Sequence, residues 1–89
     1  VAFINYDKVK IVGRIFAKEK RYKEAAKNFE ECVKLNPEDA NAHYNLGVIY
    51  QYEYGDRKAA IYHLKKYLEL EPKAKDRKDV EFLLELLER

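Results

Sequence analysis

Apolar residues recur along this chain at helical spacing, and no stretch alternates with period two for long enough to predict a strand. Val9, Val12, Gly13 and Phe16 fall at i, i+3, i+4 and i+7, one face of a 3.6-residue helix. Ala25, Ala26, Phe29, Cys32 and Val33 form a second stripe, and His43, Leu46, Gly47 and Tyr50 a third. Ala60, Ile61, Leu64, Tyr67 and Leu68 form a fourth, and Val80, Leu83, Leu84 and Leu87 a fifth. Breakers separate them. Proline disfavours helical backbone in the residue before it, so Asn36-Pro37 ends the second helix and Glu71-Pro72 the fourth. Gly55 suits a left-handed helix end, and Asp56 after it suits an N-cap. Asp39 is placed to cap the third helix, and Asp76 or Asp79 the fifth. Between the first two helices there is neither Gly nor Pro, so the turn at Lys20-Arg21 follows only from a change of phase. The pattern predicts an all-α chain of five helices in antiparallel array.

The stripes are two copies of one unit. Gly13 and Gly47 stand 34 residues apart, while Ala25/Ala60 and Pro37/Pro72 are each 35 apart. The words AAKNFEECVKLNPEDA and AIYHLKKYLELEPKAK align. The drift arises between Gly47 and Ala60, which places one extra residue near Tyr52-Glu53-Tyr54 in the second copy. A fixed period of this length is the sign of stacked helical units.

Within each copy the residue order resembles the tetratricopeptide repeat, whose pattern is W-x2-L-G-x2-Y, then A-x3-F, then P. The first copy reads Val9-x2-Val12-Gly13-x2-Phe16, then Ala25-x3-Phe29, then Pro37. The second reads His43-x2-Leu46-Gly47-x2-Tyr50, then Ala60-x3-Leu64, then Pro72. The resemblance covers about residues 6–74. It implies a right-handed superhelical array of antiparallel helix hairpins, an α-solenoid. Repeat 1 would span 6–39, repeat 2 would span 40–74, and a C-terminal capping helix would span 75–89 of a single domain, 1–89. Gly13 and Gly47 would let one helix approach its partner at Ala25 and Ala60, with Phe16, Tyr50, Phe29 and Leu64 filling the space between hairpins. In the last segment Phe82 stands where the glycine would recur, and Phe82 and Leu86 widen the stripe beyond what a lid needs. Two repeats fall short of the roughly three expected for independent stability, so neighbouring repeats or a homo-oligomer are expected to complete the array.

The resemblance also implies a concave wall lined by the first helix of each repeat. The groove positions are then Lys10, Arg14 and Ala17 from the first repeat, and Tyr44, Asn45, Val48, Gln51 and Tyr52 from the second. A basic end beside a tyrosine-lined centre suits an extended or helical peptide with apolar anchors and an acidic group, tyrosine burying large area at little entropic cost. One sub-family grips a partner's terminal carboxylate with Lys and Asn side chains. Lys10 and Asn45 match two of its positions, but Arg14 replaces an asparagine, and Asp76 and Val80 stand where bases should, so binding of a chaperone tail is not expected.

Composition narrows the functional class. Hydrophobic residues make up 47% and charged residues 38%, enough for a core and a solvated surface and unlike a disordered tail. The formal net charge of +2 lacks the clustered positive charge of a nucleic-acid domain. No apolar run approaches the roughly 20 residues that cross a bilayer, and Val1-Ala2-Phe3-Ile4-Asn5 does not read as a signal peptide. The chain starts at Val1 and contains no methionine, so a segment of a longer protein is expected. A single cysteine, Cys32, forms no internal disulfide, which fits a cytoplasmic location and leaves a periplasmic one open.

Chemistry is scarce. Cys32 lies on an apolar stripe and reads as a small core residue. His43 replaces the bulky residue that opens the repeat and reads as packing, whereas His63, on a Lys-bearing helix, is expected to be exposed. No zinc spacing and no phosphate loop occur, so neither a catalytic site, a metal nor a cofactor is expected. There are eight tyrosines. Tyr50, Tyr52 and Tyr54 alternate by two, so a helix must leave at least one exposed as a contact surface. The leading function is a protein or peptide interaction module. Self-assembly through the face of residues 1–20, using Val1, Phe3, Ile4 and Ile11, is the alternative. RNA reading by a 35-residue helical repeat is the third and weakest, given the near-balanced charge.

Overall fold

The computed structural model describes residues 5–89, so the contacts expected of Val1, Phe3 and Ile4 lie outside the described residues. Five α-helices follow one another: α1 (Tyr6–Lys18), α2 (Tyr22–Leu35), α3 (Ala40–Ile49), α4 (Arg57–Leu70) and α5 (Arg77–Leu87). The described residues contain no strand. α1 packs on α2, α2 on α3, α3 on α4 and α4 on α5, which makes a helical solenoid of stacked hairpins 46 Å long and 20–25 Å across.

Local chemistry sets the helix ends. The side chains of Asn5, Asp39 and Asp56 accept from the N–H of Lys8, Ala42 and Ala59, each satisfying an orphan donor of a first turn. At the end of α1, Lys20 takes the left-handed conformation usually left to glycine (φ 63°). Its N–H donates to Ala17 O, and the N–H of Arg21 donates to Phe16 O, a Schellman close. Gly55 plays that part in the second hairpin, with φ 61°. The extra residue expected near Tyr52-Glu53-Tyr54 appears as a π-helical turn, Tyr50–Tyr54, which continues α3. Tyr52 and Tyr54 on it are exposed, as the alternation required.

Two clusters form the core. Ala25, Phe29, Cys32, Ala42 and Leu46 centre the first, and Ala60, Leu64, Val80, Leu84 and Leu87 the second; Tyr50 packs against both. Cβ atoms built on the two helical glycines would crowd their partners, Gly47 most severely: Leu64 Cγ would lie at 2.7 Å and Ala60 O at 3.4 Å.

Two expectations need correction. His63 is not exposed: it retains 8% of its surface, with Nδ1 3.0 Å from Nδ1 of His43. It shares the face of Ala60, Leu64 and Tyr67, so helical phase, not the neighbouring lysines, decides its burial. Asp76 precedes α5 but makes no side-chain cap; its carboxylate accepts from Tyr67 OH at 2.7 Å instead.

Candidate functional site

α1 and α3 run along one side of the stack and leave between them a cavity of about 250 Å³. Lys10 and Arg14 line it from α1, and Asn41, Tyr44 and Asn45 from α3, with Asp39 at the helix start and Phe29 behind. Four residues expected in the groove, Lys10, Arg14, Tyr44 and Asn45, therefore surround one space. The expected basic end is partly answered within the chain. Lys10 Nζ lies 3.9 Å from the buried carboxylate of Asp39, which also caps α3 and accepts from Tyr6 OH. Burial and the bond to Asp39 hold the Tyr6 phenol above its ordinary pKa, so it remains a donor. Arg14 is exposed and makes no ion pair among the described residues.

Tyr44 is held rather than loose. Its ring lies 5.0 Å from that of Tyr67, which is fixed by its bond to Asp76. That bond, followed by burial, raises the Tyr67 phenol to about 12, so it stays protonated throughout the neutral range. Tyr44 also faces a second cavity of about 380 Å³ between α3 and α5, shared with Tyr52, Phe82 and Leu86.

The remaining groove residues are distributed differently. Val48 and Tyr52 line a third space of about 290 Å³ with Tyr22, Ile49 and Glu53. Gln51 is half-buried and borders none of the three. Ala17 packs against the first core cluster and offers nothing to a ligand. Sequence reasoning missed Asp39 and Asn41 as wall residues. Asp39 was legible only as a cap, and its pairing with Lys10 depends on how the two hairpins stack.

The buried groups have structural partners. His43 Nε2 lies 2.8 Å from Pro37 O, and His63 Nε2 lies 3.8 Å from Glu30. Glu30 accepts from Tyr50 OH at 2.8 Å, and burial, followed by this bond, raises that phenol to about 12. Burial pushes the Cys32 thiol up, which leaves it protonated and a poor nucleophile.

The family model described as TPR repeat matches residues 13–51, and the one described as Tetratricopeptide repeat matches residues 40–74. The Hsp70-Hsp90 organising protein of Plasmodium falciparum (isolate 3D7) is 38% identical over 47 residues. That match covers 53% of this chain and 8% of the length of that protein.

Proposed function

We propose that this chain, which belongs to the tetratricopeptide repeat family, is a protein–protein interaction module that holds an extended or helical peptide along the wall of α1 and α3 and catalyses nothing. The observation that carries this reading is the convergence of Arg14, Lys10, Tyr44 and Asn45 on one cavity between the first helices of the two hairpins. For an acidic group Arg14 supplies a cation that has no ion pair among the described residues. Asn45 supplies a side-chain amide for a peptide bond, and Tyr44 a ring packed beside that of Tyr67, so little entropy is lost on contact. In this reading residues 6–39 and 40–74 are the two repeats and 75–89 the cap, and nucleic acid is not a partner.

With Lys10 drawn to Asp39 and the clamp positions at Arg14, Asp76 and Val80 substituted, the wall favours an internal acidic segment over a free chain end. Affinity capture from the source lysate tests the proposal by comparing the wild-type chain with Arg14→Glu/Asn45→Ala. A protein retained by the first and lost from the second, at unchanged helicity, supports the wall. Equal retention by both places the contact elsewhere.

A further inference from the structure

Among the described residues, two helix faces at opposite ends of the chain remain unpartnered. On α1, Ile11 and Ile15 are 54% and 51% exposed and, with Arg14 and Lys18, border a shallow cavity of about 290 Å³. On α5, Phe82 and Leu86 are 60% and 41% exposed and border the cavity beside Tyr44 and Tyr52 with Asp79 at its mouth. Each face holds two large apolar side chains one helical turn apart, and each carries a charge three residues beyond the pair, basic on α1 and acidic on α5. Among the described residues neither Lys18 nor Asp79 is in an ion pair, whereas Glu81 and Glu85 of α5 and Glu88 just after it are already paired with Arg77, Arg89 and Lys65.

We propose that α1 of one copy of this chain packs antiparallel on α5 of a second copy, with Lys18 against Asp79, Ile15 against Phe82 and Ile11 against Leu86. The spacing supplies the register. Reading α5 forward gives positions 79, 82 and 86; reading α1 backward gives 18, 15 and 11. The steps are three and then four residues in both, the spacing at which two antiparallel helices keep their stripes in contact. A parallel pairing would break this match: the steps on α1 would become four and then three, and Lys18 would meet Leu86. A second copy is favoured over an unrelated peptide because the complementary face is present on the chain itself, with the required spacing and sign. The contact is heterologous, since the patch on one copy differs from the patch it meets, so every bound pair still offers one free face of each kind. The interface is small, and it is therefore expected to be weak.

Arg14 borders both this face and the α1–α3 wall, so the contact is tested at Lys18, Asp79, Ile15 and Phe82, none of which lines the wall cavity. The average mass is measured by sedimentation equilibrium from about 10 μM to about 1 mM, a range that covers weak association. The wild type is expected to rise above the 10.6 kDa of one chain. Lys18→Asp alone and Asp79→Lys alone should each weaken association about fivefold or more, and the double swap should restore it. In a second measurement, Ile15→Cys chains are mixed with Phe82→Cys chains under mild oxidation. They should form a disulfide-linked pair faster than Ile15→Cys mixed with Leu35→Cys, a control at another exposed position. A wild type that stays at one chain's mass throughout overturns the proposal. So do single swaps without effect, or a double swap that fails to recover.

Discussion

At the end of α1 the left-handed residue is Lys20, and the N–H after it reaches back to the carbonyl of Phe16 at 2.8 Å. At the end of the helical run begun by α3 the left-handed residue is Gly55, and the N–H of Asp56 reaches back to Tyr50, also at 2.8 Å. Phe16 and Tyr50 are equivalent positions of the repeat, so both turns close on the same anchor, although the second has one more residue to accommodate. The π-turn takes it up. An insertion that would rotate everything after it is thereby confined to an exposed bulge, and α4 returns to the core in register. The hairpins differ in tightness as well. α1 buries only Gly13 and lies at the end of the stack, whereas α3 buries Ala40, Ala42, His43, Leu46, Gly47 and Ile49 between α2 and α4. The same residue order thus gives an open helix in one place and a sandwiched one in the other.

The largest effect should come from the tight hairpin. Leu64→Ala empties a fully buried site against Gly47 and should cost about 2–5 kcal/mol in denaturant unfolding. The glycines should separate the two hairpins next. Gly47→Ala drives a Cβ into Leu64 and should destabilise by about 1–2 kcal/mol, after allowing for the better helix propensity of alanine. Gly13→Ala meets Asn28 Cβ at 3.1 Å and Phe29 Cε1 at 3.2 Å near the open edge, and it should fall within about 0.5 kcal/mol of neutral. Equal costs at the two glycines would erase the contrast.

The turns give a smaller pair of opposite sign. Lys20→Gly should stabilise by up to about 1 kcal/mol and Gly55→Ala destabilise by about the same amount, because a Cβ is disfavoured at positive φ. Smallest is a pH effect confined to the second hairpin. Burial lowers the His63 pKa from 6.5, outweighing the opposing pull of Glu30. The unfolded chain therefore takes up a proton at a pH where the folded chain does not, and stability falls as pH drops through about 6.5 towards the lower folded value. His63→Gln should flatten that part of the thermal-melting profile, and an unchanged slope would locate the titration elsewhere.

Much of this was legible in the residues. Five stripes became five helices because the period, the prolines and the Asp caps all pointed the same way. Even the odd residue of the second copy was placed correctly, since the repeat bracketed it between Gly47 and Ala60. What escaped depended on how hairpins face one another. Asp39 read as a cap, and its hold on Lys10 exists only because α1 lies alongside the start of α3. The lysines beside His63 in sequence point outward, but its own place one turn after Ala60 puts it on the buried face. Phe82 and Leu86 stood out as excess apolar positions, but the cavity they share with Tyr44 and Tyr52 needs α5 folded back against α3.

The measurement closest to the central proposal is site-specific photocrosslinking in the source lysate. A benzophenone side chain is placed either at Asn41, on the α1–α3 wall, or at Lys27, exposed on α2. The account predicts a discrete protein adduct from Asn41 that Arg14→Glu abolishes, and none from Lys27. An adduct from Lys27 with none from Asn41 would contradict it and move the working surface to the other side of the stack.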